Sequence, residues 1–178
     1  MVKAILFDFW GTLVENGVWS PTKQVKNILQ INLPFSEYVV RMERAMMAQK
    51  FDSLKEAFEN VCKEFNVDCP EERMEQLIGM WNKSWMLAKP YDEVIPFLEK
   101  LKEKYQLILV SNTDAVSILR VLEKFKMSDL FDKKYFSYEV GMIKTDKNFL
   151  KIVVDGIGVG IEDCVIVGDS LQSDIQPA

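Results

Sequence analysis

The order of apolar and polar positions divides the chain into three stretches. An apolar run at residues 2–9 contains Asp8 near its end and leads into Gly11, which is typical of a buried strand followed by a tight turn. From residue 20 onward, apolar positions recur at helical spacing. Helix starts are predicted at Ser20 with Pro21, at Ser36, at the capping box of Ser53 and Glu56, and after Pro70.

Beyond residue 92 the pattern alternates between helices and short apolar strands, which indicates a parallel α/β sheet. Predicted helices cover residues 92–104, 115–126 and a stretch from about Asp146, and predicted strands cover residues 107–110, 135–137 and 164–167. Asp8, Ser111 and Asp169 follow three of the strands. Ligands of open α/β sheets bind beyond the carboxyl ends of the strands, so these side chains are expected to converge on one site. Taken singly, each could equally cap a helix or form a turn.

Composition narrows the chemistry of that site. The chain has 178 residues, is 48% hydrophobic and carries a net charge of -5, so we expect a globular protein that does not bind nucleic acid. Its apolar runs are too short for a membrane span and its N-terminus does not resemble a signal peptide, so the expected location is cytoplasmic. The three cysteines are expected to be reduced. Histidine is absent, which excludes imidazole catalysis and histidine-ligated zinc.

Four motifs occur in a set order along the chain: ILFDFWGTL, ILVSNT, the lysine of YEVGMIKTD, and VIVGDSLQSD. This order resembles the haloacid dehalogenase (HAD) superfamily over essentially the whole chain. The resemblance implies an α/β fold with a Rossmann-like parallel sheet and a small all-helical type 1 cap inserted after the first strand. Residues 1–14 and 90–178 would form the core, and residues 15–89 would form the cap.

The resemblance also implies roles for individual residues. Asp8 would be the nucleophile, and Thr12 would help to orient it. Ser111 and Asn112 would donate hydrogen bonds to a phosphoryl group, and Lys144 would offset its charge. The expected partner is a small phosphorylated molecule. Residues expected to contact this substrate are Trp10, Gly11, Trp19 and Asn112.

A magnesium ion is the cofactor that the resemblance implies. Its ligands would be Asp8, the backbone carbonyl of Trp10, and Asp169. Mg²⁺ suits such a site because it prefers oxygen ligands and takes few carboxylates. Asp174 would either bind the ion through water or orient the lysine.

Trp10 departs from the family pattern, because phosphatases of the family carry an acid/base aspartate at that position. An indole cannot transfer a proton at neutral pH, and loss of a positioned acid costs roughly 10²–10⁴-fold in rate. Slow turnover of poor leaving groups is therefore expected, with the acid/base role vacant or filled by water. A metal-independent 2-haloacid dehalogenase is an alternative, with Arg41 or Arg44 binding a substrate carboxylate. Retention of Asp169 favours Mg²⁺ and phosphate, because a second carboxylate beside Asp8 needs a cation.

A third alternative is a relative that binds a phosphorylated ligand without turnover. In the cap, Trp81 and Trp85 continue an apolar helical stripe and are expected to pack inside the helical bundle, whereas Trp10 and Trp19 are expected to line the pocket. The sequence stops soon after the fourth motif, at residues 175–178, where the family usually continues. We therefore expect a truncated or divergent C-terminus, an exposed sheet edge and a possible homodimer.

Overall fold

A computed structural model describes residues 1–177, and Ala178 lies outside the described residues. The strands are β1 (Ala4–Phe7), β2 (Val14–Glu15), β3 (Lys89–Pro90), β4 (Gln106–Ser111), β5 (Lys133–Phe136) and β6 (Cys164–Val167). Four of them form a parallel sheet in the order β5-β4-β1-β6. The expected α/β fold with a parallel sheet is thus confirmed, and β1 lies inside the sheet between β4 and β6.

Eight helices accompany the strands in the described part of the chain. They are α1 (Pro21–Ile28), α2 (Phe35–Met47), α3 (Leu54–Phe65), α4 (Glu71–Met86), α5 (Val94–Lys102), α6 (Ala115–Lys124), α7 (Ser137–Val140) and α8 (Phe149–Ile157). Short 3₁₀ turns cover Ser128–Leu130 and Ile161–Asp163, and a π-helical turn covers Leu171–Ile175. Within residues 1–177, no helix is both long enough and apolar enough to cross a lipid bilayer.

Most predicted elements are found close to their expected positions. The capping box is present: Ser53 Oγ accepts a hydrogen bond from Glu56 N at 3.2 Å, while Glu56 Oε2 accepts one from Asp52 N at 3.1 Å. Two boundaries were predicted wrongly. The helix expected from Asp146 begins at Phe149, because the Asp146 carboxylate instead holds a turn by accepting a hydrogen bond from Ile143 N at 2.9 Å.

The second error concerns β5, which spans Lys133–Phe136 rather than residues 135–137. It lies at an edge of the sheet, where two lysines begin the strand and interrupt the apolar pattern. Ser137 already belongs to α7.

Three apolar clusters stabilise the molecule. Alternate residues of β1 and β4 face opposite sides of the sheet, so that one cluster contains Phe7 and Leu109 and another contains Leu6 and Ile108. The third cluster is formed by α1–α4 and includes Trp81, as expected. The expectation for Trp85 was wrong, because this residue packs against the first sheet cluster, toward which the last turn of α4 runs.

A short antiparallel ribbon joins the sheet to the helical bundle of α1–α4. Here β2 pairs with β3, with Val14 opposite Pro90 and Glu15 opposite Lys89. The chain therefore leaves the sheet and returns to it at one place. The ribbon coincides with the predicted limits of the inserted cap, and we use "cap" below for residues 15–89.

Candidate active site

The carboxyl ends of β1, β4 and β6 bring their polar residues to one cavity of about 430 Å³. Asp8 follows β1, Asn112 follows β4 and Asp169 follows β6, and all three line the cavity. The cap contributes the opposite wall. This volume is in the range of small-molecule sites.

A buried lysine links two carboxylates at the centre of this site. Lys144 Nζ donates to Asp8 Oδ1 and to Asp174 Oδ1, both at 2.5 Å. All three side chains are at least nine-tenths buried. Burial lowers the pKa of Lys144, but the two carboxylates outweigh it and the net pKa lies above its ordinary value. Lys144 is therefore a permanent positive charge beside Asp8.

The Asp8 carboxylate is poised as an anion near neutral pH. Burial raises its pKa to about 6, while Lys144 opposes this rise and the Asp174 charge adds to it. Its second oxygen, Oδ2, accepts a hydrogen bond from Thr12 Oγ1 at 3.4 Å. At pH 7 the group is mainly ionised, as a nucleophilic carboxylate must be.

Gly11 allows the turn after β1 to approach the fourth motif. Its φ of +84° lies in the left-handed region, and a Cβ there would lie 2.9 Å from Asp169 Cγ. Gly168 is similarly confined, because a Cβ on it would lie 2.6 Å from Asp174 Cβ. The absence of a Cβ at Gly11 and Gly168 therefore leaves room for the side chains of Asp169 and Asp174.

Three of these carboxylates form a group that could hold a cation. Asp8, Asp169 and Asp174 each offer one oxygen, and these atoms lie within 4.8 Å of one another. Burial raises the pKa of Asp169, and the nearby Asp174 raises it further. A donor set made only of oxygen fits Mg²⁺. Asp174 already contacts Lys144, and its Oδ2 accepts a hydrogen bond from Ser170 N at 3.0 Å, which favours the lysine-orienting role over direct ligation.

The two residues expected to hold a phosphoryl group are placed differently. Ser111 is fully buried, and its hydroxyl donates to the neighbouring Asn112 carbonyl at 3.5 Å. Asn112 lines the cavity and connects two elements, since its Oδ1 accepts from Lys144 N at 2.8 Å and its Nδ2 donates to Glu43 at 2.8 Å. A phosphoryl contact from Ser111 would require its hydroxyl to rotate.

Trp10 lines the cavity, but its one polar hydrogen is already used. Indole Nε1 donates to Thr113 Oγ1 at 3.1 Å, and the ring packs edge-on against Phe9. The expectation for Trp19 is not met by this arrangement: its side chain is 74% exposed, lies outside the cavity, and has Lys23 Nζ 5.2 Å from its ring centroid. Trp81 and Trp85, which the sequence placed inside the bundle, both line the cavity, and of the two only Trp81 also belongs to the helical cluster.

The two cap arginines are engaged away from the cavity. Arg41 Nε donates to Glu64 Oε1 at 2.8 Å. Arg44 forms a bidentate pair with Asp146, at 2.7 and 3.0 Å, and so joins the cap to the core. Neither arginine lines the cavity, which disfavours the carboxylate-binding role that the dehalogenase alternative assigns to them.

Sequence reasoning missed Glu43 and Asp114. Val39, Glu43 and Met47 are spaced four residues apart on α2, and all three line the cavity. The sequence signal for Glu43 was an acid placed between two apolar residues on the same face of α2. Asp114 caps α6 and its Oδ2 also accepts a buried hydrogen bond from Trp81 Nε1 at 2.9 Å. No sequence pattern indicates that second contact.

The chain is similar in sequence to one protein family and to several individual proteins. The model of the haloacid dehalogenase-like hydrolase family matches residues 2–178. A glyceraldehyde 3-phosphate phosphatase of Methanocaldococcus jannaschii is 27% identical, with 100% of this chain and 81% of that protein covered. A second glyceraldehyde 3-phosphate phosphatase, from Methanopyrus kandleri, is 25% identical, with 100% and 80% covered.

Among solved structures, a HAD-family enzyme of Bacteroides thetaiotaomicron in complex with magnesium and inorganic phosphate has a TM-score of 0.64 at 21% identity, covering 96% of this chain and 86% of its own. A 2-haloacid dehalogenase of Pseudomonas syringae has a TM-score of 0.60 at 16% identity, covering 99% and 82%. Because an enzyme that binds magnesium and phosphate and a 2-haloacid dehalogenase share the fold, these two structures support the architecture and leave the reaction to be argued from the site.

Proposed function

Because the chain belongs to the haloacid dehalogenase-like hydrolase family, we propose that it is a Mg²⁺-dependent phosphatase that hydrolyses a small phosphorylated substrate through an aspartyl phosphate on Asp8. The observation that carries this proposal is the buried Asp8 carboxylate, held by Lys144 at 2.5 Å and facing the cavity beside Asp169. The names of the curated relatives support a short phosphorylated aldehyde or sugar as substrate.

The proposed reaction uses the charges already described. An Asp8 oxygen bonds to phosphorus while the bond from phosphorus to the leaving oxygen breaks, and water then releases phosphate from Asp8. Lys144 reduces the repulsion between the Asp8 anion and an incoming phosphoryl group. Thr12 and Lys144 together keep the Asp8 carboxylate in one orientation.

Mg²⁺ would be held by Asp8, the Trp10 carbonyl and Asp169, and it would neutralise negative charge on the phosphoryl oxygens. Asp169 argues against a metal-independent dehalogenase, because its carboxylate lies close to those of Asp8 and Asp174 and the single charge of Lys144 cannot neutralise three acids.

The test is phosphate release from p-nitrophenyl phosphate and glyceraldehyde 3-phosphate, measured with Mg²⁺ and with EDTA. We expect Mg²⁺-dependent release that Asp8→Asn abolishes and that Asp155→Asn, at an exposed position on α8, leaves unchanged. Mass spectrometry of acid-quenched enzyme should find a phosphoryl group on the Asp8 peptide. Release that persists in Asp8→Asn would contradict the proposal, and ligand binding without release would favour a non-catalytic relative.

A further inference from the structure

Glu43 lines the cavity from the cap side. Its Oε2 accepts the hydrogen bond from Asn112 Nδ2, and the amide cannot turn round without losing the bond between Asn112 Oδ1 and Lys144 N. Across residues 1–177, no side-chain or backbone donor contacts Glu43 Oε1. Because Oε2 is already an acceptor, Oε1 is the atom that carries the proton when Glu43 is neutral.

We infer that Glu43 is the proton donor to the leaving group. In the core, the position expected to carry this acid is occupied by Trp10, which is not an acid. This inference rests on the proposed phosphatase function. An alkyl phosphate leaves as a strongly basic alkoxide, so a positioned acid accelerates its departure. Trp10 cannot provide that acid, and its indole hydrogen is bonded to Thr113. Glu43 lines the same cavity as Asp8, from the opposite wall.

The surroundings of Glu43 suit a group that is protonated for part of the time at neutral pH. Burial raises the pKa of Glu43 to about 7, whereas the hydrogen bond from Asn112 and the charge of Lys144 lower it and the two nearby aspartates raise it. General acids work best when their pKa lies near the working pH. The titratable groups that face Glu43 are Lys144, Asp8 and Asp174 on the core side and Tyr38 on its own helix.

The proton balance closes over two steps. In the first, an Asp8 oxygen bonds to phosphorus, the bond from phosphorus to the leaving oxygen breaks, and the Glu43 Oε1 proton passes to that oxygen. In the second, a water oxygen bonds to phosphorus, the bond from phosphorus to Asp8 breaks, and a water proton passes to the Glu43 carboxylate. Glu43 thereby regains its proton without any other reactant.

The experiment compares Glu43→Gln with the wild-type protein on two substrates that differ in leaving group. Glyceraldehyde 3-phosphate releases an alkoxide, whereas p-nitrophenyl phosphate releases a weakly basic phenolate that needs little protonation. We expect kcat for the alkyl substrate to fall by roughly 10²–10⁴-fold and kcat for the aryl substrate to change only a few-fold. Wild-type turnover of the alkyl substrate should fall as pH rises above about 7, and Glu43→Gln should lose this limb.

Two further variants separate a chemical role from a structural one. Glu43→Asp retains a carboxyl group and should keep more alkyl activity than Glu43→Gln. Glu75→Gln, at an exposed position on the cap helix α4, should behave as wild type. Thermal melting of each variant shows whether it is folded.

Three outcomes would overturn the inference. If Glu43→Gln loses alkyl and aryl activity equally, Glu43 positions the cap and is not the acid. If Glu43→Gln keeps both the alkyl and the aryl activity, Glu43 has no part in turnover. If the wild-type protein shows no Asp8-dependent release even from p-nitrophenyl phosphate, the proposed function itself fails, and this result is distinct from the other two.

Discussion

The buried hydrogen bond between Trp81 and Asp114 allows a quantitative test of how the cap is held on the sheet. Both residues are 7% exposed, and Trp81 Nε1 donates to Asp114 Oδ2 at 2.9 Å. Asp114 Oδ1 separately accepts from Val116 N and Ser117 N at the start of α6. One carboxylate therefore serves as both a helix cap and an anchor for the cap domain.

Asp114→Asn separates these two functions. Asparagine remains a good N-cap, so its oxygen can keep the contacts with α6. Its amide nitrogen must then face the indole, where two donors meet and the Trp81 hydrogen is left without an acceptor. A buried unpaired donor costs about 1–3 kcal/mol, which for a chain of this size corresponds to a fall of about 2–12 °C in Tm. Asp114→Ala should lose roughly 0.5–2 kcal/mol more, because the helix cap also disappears.

The assay is a double-mutant cycle on the free energy of unfolding in urea. Trp81→Phe removes the donor, and any loss of ring packing against Phe58 cancels because it occurs in both arms of the cycle. We expect Asp114→Asn to cost about 1–3 kcal/mol in wild type and much less in Trp81→Phe. Equal costs in the two backgrounds, within about 0.5 kcal/mol, would refute the claim that this bond anchors the cap.

Two further substitutions test the centre of the site. Lys144→Met should lower the free energy of unfolding by about 3–5 kcal/mol, because the two buried carboxylates that contact Lys144 lose their cation. The measurement is urea denaturation with EDTA present, and a loss below about 1 kcal/mol would contradict this prediction. Gly11→Ala should cost at least about 1 kcal/mol and reduce phosphate release, since its φ of +84° is strained for alanine and its Cβ meets the Asp169 carboxylate. The control is Gly79→Ala, in the middle of α4, where a Cβ would meet open space, and it should raise the free energy of unfolding by about 0.5–1 kcal/mol. Equal effects of the two substitutions would argue against the close approach at Gly11.

Local patterns in the sequence predicted local structure well. The strand at Cys164–Val167 and the Ser53 capping box were both anticipated, because an apolar run and a Ser-x-x-Glu pattern are decided by neighbouring residues. Edge strand β5 and the start of α8 were placed less well, since lysines in the strand and an aspartate in a turn obscure the pattern there.

Contacts between distant parts of the chain were predicted only where a motif carried them. The pairing of Lys144 with Asp8, 136 residues apart, was expected from the family resemblance and has no local signal. Glu43 and Trp85 were missed because their environment depends on how the cap docks onto the sheet. Trp19 was misjudged for the same reason, as its position in the sequence says nothing about which side of the cap faces inward.

The ribbon of β2 and β3 constrains how the cap can move. Two separate linkers would allow the cap to rotate about several axes. The two segments that connect the cap to the sheet are instead hydrogen-bonded to each other, at Val14–Pro90 and Glu15–Lys89, and must bend together. A rotation of the cap relative to the sheet would therefore be confined largely to one axis through this ribbon. Such a restricted rotation would keep Glu43, on the cap wall of the cavity, aligned with Asp8 on the sheet, so the geometry of the site depends on a ribbon of two residue pairs.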